Sequence, residues 1–276
     1  MTIKITNKPL LAFVFFIQIL LFTNAYAINP QREYSAKPDA IGLKYETNRI
    51  KVNNSVTLNS WACLQQDLKK PFIIISGTDA GNMSNSLGQA QAFYDAGYNV
   101  ILYDYRGFGE SSDFKMDLNA MYYDEFAEDL AKTIAFVEAK YHPGSIVLYG
   151  QSMGTIISRK NADTTKLIKG LVLDSFVIDP KLVVERIFAL KKKNISLPST
   201  SSAYIESNKI NIKKPVLLFS GLKDIITKTA DYEDFLSKNP NSKIVTWDCN
   251  HLECFTSMGT EPNLYMKEFN SFVTTL

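Results

Sequence analysis

Short, almost wholly apolar runs stand at 71–76, 98–103, 145–149, 170–174, 215–220 and 243–247. Such runs fit strands buried on both faces, and 54–65 resembles an earlier strand. Between them lie stretches with helical periodicity at 87–96, 121–141, 155–160 and 261–273. The second is the clearest. Phe126, Leu130, Ile134, Val137 and Tyr141 recur every three or four residues, and Pro143-Gly144 stops the pattern. Glu128 and Lys132 make a supporting i,i+4 pair on its polar side. Continuous apolar strands alternating with helices predict an α/β fold: a mostly parallel sheet with helices on both faces.

The first residues follow a different logic. Lys4 and Lys8 precede an apolar stretch over 9–22 broken only by Gln18, and Ala25-Tyr26-Ala27 ends it in an A-x-A pattern. This predicts a secretory signal peptide over 1–27, cut after Ala27, and an exported domain over 28–276, periplasmic or secreted. The apolar stretch is short for a membrane span, no cysteine lies near the cut, and no other segment is apolar enough to span a bilayer. No stable membrane anchor is expected after cleavage.

Losing Lys4 and Lys8 takes the formal charge of +2 to zero. That balance offers no footprint for nucleic acid. Lys191-Lys192-Lys193 is the one basic run of note, read as a solvated loop, with contact to an acidic substrate as the second reading. Cys63, Cys249 and Cys254 are an odd number for an exported chain, so full internal pairing is impossible. Cys249 and Cys254 bracket His251; a disulfide and two buried thiols are both open, and the short separation leans toward thiols. Two histidines and no paired Cys/His spacing argue against a zinc site.

In a parallel sheet the ligand sits beyond the carboxyl ends of the strands. Chemically capable residues do follow strands here. Gly150-Gln151-Ser152-Met153-Gly154 follows the run at 145–149 and leads into a helical stretch. That is G-x-S-x-G in its strand–turn–helix setting, with small residues letting the neighbouring backbone pass. Gly221-Leu222-Lys223-Asp224 and Cys249-Asn250-His251 follow later strands. Serine, aspartate, histidine is the chain order of an α/β-hydrolase triad. Ser152 is the nucleophile, His251 its general base, and Asp224 the group holding the imidazole. Backbone N–H groups of Met153 and Thr78 are the candidate oxyanion donors.

Each residue alone has an ordinary reading: a turn serine, a helix-capping aspartate, a loop histidine. His142 is the other histidine, but it precedes its strand at the wrong end. Asp174 ends a strand and is the alternative acid. Asp248 is read as a strand or turn terminus.

Phe72 to Gly154 resembles the α/β-hydrolase superfamily, specifically the short-capped hydrolases near the serine aminopeptidases. Asp104-Tyr105-Arg106-Gly107-Phe108-Gly109-Glu110-Ser111, Gly150-Gln151-Ser152-Met153-Gly154, and Asp224 with Asn250-His251 carry the resemblance. It implies an eight-stranded sheet and the same triad, and that triad mechanism requires no cofactor or metal. Asp104 and Arg106 read as structural, Gly107 and Gly109 as turn residues. Relatives often carry His-Gly at the oxyanion loop, where this chain has Ser76-Gly77 and a loop one residue longer. Asp79 in that loop would oppose an oxyanion, so it is expected to face solvent or cap the following helix.

The segment 176–214 falls outside the sheet pattern. A helix over 179–193 carries Leu182, Val183, Ile187 and Leu190 on one face, and 196–202 reads as a polar loop. The whole is expected to form a small cap over Ser152, selecting substrate and excluding water. The expected partner is a small-molecule acyl, ester or short peptide substrate. The expected activity is a serine hydrolase forming an acyl-enzyme on a carboxylester or thioester. The alternatives are an aminopeptidase-type serine peptidase and a non-catalytic binding protein on a hydrolase scaffold. Haloalkane- and epoxide-type enzymes need an aspartate where Ser152 stands.

Overall fold

The computed structural model describes residues 26–208, 212–258 and 263–276. The expected leader over 1–27 therefore lies outside the described residues, save Tyr26 and Ala27. Residues 261 and 262 of the last expected helix also lie outside them. The chain begins with β1 (Asn29–Pro30), β2 (Glu46–Lys51), β3 (Thr57–Cys63), β4 (Phe72–Ser76) and β5 (Ala80–Gly81). Helix α1 (Leu87–Asp95), β6 (Asn99–Tyr103), α2 (Tyr123–Tyr141), β7 (Ile146–Gln151), α3 (Met153–Lys160) and β8 (Ile168–Asp174) follow. The C-terminal part holds α4 (Pro180–Lys191), α5 (Ser201–Asn208), β9 (Val216–Gly221), α6 (Glu233–Lys238), β10 (Ser242–Trp247), α7 (Cys254–Met258) and α8 (Leu264–Val273).

Eight strands form one sheet in the order β10-β9-β8-β7-β4-β6-β3-β2. From β10 to β6 the strands are parallel, and β3 and β2 extend the sheet antiparallel. This is the α/β-hydrolase fold. The reason lies in the strands. Every residue of β4, Phe-Ile-Ile-Ile-Ser, is buried. Side chains alternate across a sheet, so Ile73 and Ile75 pack with α1 and α8 on one face. Phe72 and Ile74 pack with α2 and α3 on the other. On the first face Phe93 of α1 stacks on Phe269 of α8 at 4.3 Å between centroids. Helix α2 buries Phe126, Leu130, Ile134, Val137 and Tyr141, as its periodicity predicts.

Some expectations change. Glu128 does not serve Lys132; it bonds the Arg106 guanidinium at 2.7 Å, and Asp129 takes the same group at 2.6 Å. Arg106 thereby ties the loop after β6 to α2, and the structural role read for it holds. Gly107 and Gly109 sit at φ 84° and 46°, so the loop turns where glycine is needed. β2 was not expected. Part of the polar stretch 196–202 enters α5, which begins at Ser201. No helix among the described residues is long and apolar enough to cross a membrane.

The segment between β8 and β9 forms a helical cap. Asp179 caps α4 by accepting from the N–H groups of Lys181 (2.8 Å) and Leu182 (3.4 Å), and Pro180 opens the helix. Arg186 fixes the cap to the body through a bidentate pair with Asp231, at 2.5 and 2.7 Å, and a bond to the Ile226 carbonyl.

Candidate active site

β7 ends at Gln151 and α3 starts at Met153, so Ser152 alone makes the turn. Its φ is 48° and its ψ −114°, a sparsely populated conformation for a residue with a side chain. Two glycines make the turn sterically possible. A Cβ at Gly150 would lie 2.5 Å from the Gly154 carbonyl oxygen. At Gly154 it would lie 2.1 Å from that of Ser76 and 2.6 Å from that of Gly77. The start of α3 is thus pressed against the loop after β4. Gly154→Ala should force these backbones apart. A displacement of about 1 Å costs roughly 10²-fold in rate, and overpacking costs about 1–3 kcal/mol. Turnover and urea midpoint measured together test this; an unchanged rate would contradict it.

His251 arrives on the loop after β10. Its Nε2 lies 3.0 Å from Ser152 Oγ, and its Nδ1 lies 2.7 Å from Asp224 Oδ2. Asp224 is 4 % exposed, and its remaining capacity is filled. Oδ1 accepts the N–H groups of Ile226 and Thr227, at 2.7 and 2.9 Å, and Oδ2 accepts the Thr227 hydroxyl at 2.6 Å. Burial would raise this carboxyl, but the hydrogen bonds and the imidazole hold it below the ordinary carboxylate range. The two loops are tied together. The N–H groups of Leu222 and Lys223 donate to the carbonyls of Trp247 and Cys249. Gly221 lets them approach, since a Cβ there would lie 2.4 Å from the Cys249 oxygen.

The competing residues fall elsewhere. Asp174 is fully buried and accepts from Tyr265 (2.9 Å) and Tyr149 (3.4 Å). It meets the nucleophile turn only through its backbone, where its carbonyl accepts the Ser152 N–H at 3.0 Å. Asp248 pairs with exposed Lys223. His142 caps α2 at the opposite end of β7. Cys249 and Cys254 are buried thiols with their sulfurs 3.2 Å apart, bracketing His251.

A cavity of about 220 Å³ opens over Ser152, Met153 and His251. Val183, Val184 and Ile187 of α4 form its roof, as expected of a cap, whereas Leu182 and Leu190 of the expected apolar face are exposed. The oxyanion loop departs from expectation. Thr78 borders a separate cavity and donates its hydroxyl to the Ala80 carbonyl at 3.0 Å. Asp79, not Thr78, lines the Ser152 cavity. Nor does Asp79 cap the following 3-10 turn; Asn82 does, accepting from the Ser84 N–H at 3.0 Å. The loop is held in this placement by β1. Asn29 and Pro30 pair with Ala80 and Gly81, and the Asn29 N–H bonds the Asp79 carbonyl at 2.8 Å. That short pairing fixes the loop with Asp79 inward. Burial pushes the Asp79 carboxyl up, opposed by its own backbone N–H and by the charges of His251, Lys193 and Lys191. A two-residue strand leaves no periodicity to read, so neither β1 nor its effect on Asp79 was legible.

This sheet, elbow and loop arrangement defines a class. The chain has the fold of the α/β-hydrolase superfamily and matches one of its family models. Residues 67–202 match the family model described as serine aminopeptidase, S33. Protein bem46 of Schizosaccharomyces pombe is 31% identical over 208 residues, covering 71% of this chain and 66% of that protein. Protein YfhR of Salmonella typhimurium is 26% identical over 214 residues, 71% of this chain and 69% of its own. The match thus spans about two thirds of the length of these relatives. Among solved structures, the Pyrococcus furiosus esterase Pf2001 superposes with a TM-score of 0.72 at 20% identity, covering 90% of this chain and 97% of that one. Mouse α/β hydrolase domain-containing protein 10 gives 0.63 at 15% identity, covering 83% and 99%.

Proposed function

We propose that the protein is an exported serine hydrolase cleaving a short carboxylester or thioester through an acyl-enzyme on Ser152. The observation that carries this reading is the continuous hydrogen-bonded series Ser152–His251–Asp224 at 3.0 and 2.7 Å, opening on a cavity. His251 Nε2 is placed to take the hydroxyl proton as Ser152 attacks the acyl carbon. It then returns that proton to the leaving oxygen or sulfur. Asp224 keeps the other ring N–H fixed and stabilises the imidazolium. Water activated by the same imidazole releases the acyl group. The Met153 N–H at the start of α3 is one oxyanion donor. The second comes from the 78–79 backbone, where the Asp79 N–H is engaged by its own carboxylate in this structure.

The cavity's small size and apolar roof support a short acyl or alkyl group. A peptidase of aminopeptidase type is the second reading. Asp79 favours it, as a carboxylate beside Ser152 is a group that could hold a free amine. Export rests on the leader at 1–27. Initial rates on p-nitrophenyl butyrate, a butyryl thioester and an aminoacyl anilide separate the readings. Ester and thioester turnover at least tenfold above the anilide is expected. Preference for the anilide would move the assignment to the peptidase.

A further inference from the structure

Helix α4 is apolar on more than one side. Among its residues only Pro180 is buried. Val183, Val184 and Ile187 turn to the Ser152 cavity. Leu182, Phe188 and Leu190 do not line it and stand exposed, Leu190 by 52 %. The loop after β9 repeats this arrangement: Ile226 lines the cavity, while Leu222 and Ile225 are 60 % and 54 % exposed. The two segments touch, since Arg186 of α4 donates to the Ile226 carbonyl at 2.9 Å. Seven large apolar side chains are exposed among the described residues, and five of them lie on these two segments. Apolar side chains scattered singly over a surface mean little, whereas such a concentration marks an interaction site.

The free charges beside these side chains are mostly of one sign. Lys181, Lys191 and Lys192 are exposed, and none is held in an ion pair with another described residue. Glu185 is the one acid of α4. Asp231 is taken by Arg186, Asp224 by His251 and Asp248 by Lys223. The chain as a whole carries a formal charge of only +2, so this excess is local. A second copy of the chain seated on the same face would set lysine against lysine, which opposes association. An anionic lipid surface suits both features. The boundary between headgroups and acyl chains receives the Leu, Ile and Phe side chains, and the headgroup phosphates receive the ammonium groups.

We propose that α4 and the 222–225 loop dock the protein reversibly on an anionic lipid surface, with the Ser152 cavity beside the contact. The inference goes beyond the hydrolase reading and does not need Ser152 to be the nucleophile. The contact is peripheral: these side chains reach the boundary of the bilayer, and no described helix is long and apolar enough to cross it. Each ammonium near such a surface strengthens partitioning about fivefold, and salt screens the effect.

The test is co-sedimentation with vesicles of phosphatidylcholine alone or with about a third phosphatidylglycerol. It compares the parent with Lys181→Gln/Lys192→Gln, Phe188→Ser/Leu190→Ser, Ile41→Ser and Ser152→Ala. The parent should partition about tenfold or more in favour of the anionic vesicles, and high salt should erase that preference. The lysine variant should bind them about tenfold more weakly. Phe188→Ser/Leu190→Ser should lose most of the binding yet melt and hydrolyse a soluble ester like the parent, since neither residue is buried or lines the cavity. Ile41→Ser, exposed on neither segment, should bind like the parent. So should Ser152→Ala, which separates this inference from the nucleophile assignment. No binding to anionic vesicles, or binding unchanged in Phe188→Ser/Leu190→Ser, would overturn the docking face. A dimer in sedimentation equilibrium that the same variant abolishes would assign the face to a second copy and overturn it too.

Discussion

Replacing Ser152 by alanine is expected to lower ester turnover by ~10⁶-fold while the fold survives. The size follows from how such a group works. Loss of the nucleophile removes the covalent route entirely, and only the oxyanion donors and cavity remain to act on water. The survival of the fold follows from the surroundings. The Ser152 hydroxyl bonds His251 Nε2, while the turn is held by backbone: the Ser152 N–H to the Asp174 carbonyl, and the Thr155 N–H to the Ser152 carbonyl. Alanine keeps those bonds and adds no atom at φ 48° that serine lacks. Initial rates on p-nitrophenyl butyrate, with a thermal melt beside them, make the comparison. A variant that melts like the parent and retains a tenth of its rate would contradict the assignment.

The second large effect distinguishes two buried acids. Asp224→Asn should cost about 10⁴-fold in kcat, because an amide cannot hold the imidazole in the tautomer that leaves Nε2 free to accept. Asp174→Asn should change the rate by less than tenfold, since its carboxylate bonds Tyr265 and Tyr149 rather than His251. Asp174 does carry a stability signature. Burial pushes its carboxyl up to about 6, against about 3.9 in an unfolded chain. A group raised on folding stabilises the fold while protonated, and that contribution is lost as pH rises through about 6. Relative to the parent, Asp174→Asn should therefore gain stability between pH 4 and pH 7, read as the difference in urea midpoints. Equal rate losses in the two variants would overturn the choice of Asp224.

That choice shows what the sequence could carry. Chain order and strand position admit both Asp174 and Asp224; the resemblance carried by Gly221-Leu222-Lys223-Asp224 pointed to Asp224, and the structure brings Asp224 to 2.7 Å from His251. The apolar runs that became β4, β6, β7, β8 and β9 were legible because burial on both faces leaves a continuous signal. The elbow was legible because two close backbone approaches demand glycine at 150 and 154.

What stayed hidden depends on partners rather than on local pattern. β2 reads Glu-Thr-Asn-Arg-Ile-Lys, an edge strand with mostly polar residues, and Ile50 and Asn48 alone turn inward. β10 signals itself more weakly than the central strands, because all six of its positions are exposed or part-exposed at the other edge. α5 is rich in serine, which favours caps and turns when read locally. Its burial of Tyr204, whose hydroxyl bonds the Val177 carbonyl at 2.9 Å, is tertiary information. Glu128 was assigned to Lys132 by helical spacing, yet Arg106, from a distant loop, takes it. The inward turn of Asp79 is of the same kind, since it is set by a two-residue pairing with the N-terminal segment.

The most direct measurement is intact-mass analysis of the purified protein after treatment with a fluorophosphonate, with peptide mapping of the adduct. One adduct is expected, on Ser152, absent in Ser152→Ala and formed far more slowly in His251→Ala. A folded parent that takes no adduct, or one modified at a different serine, would contradict the assignment of Ser152 as nucleophile.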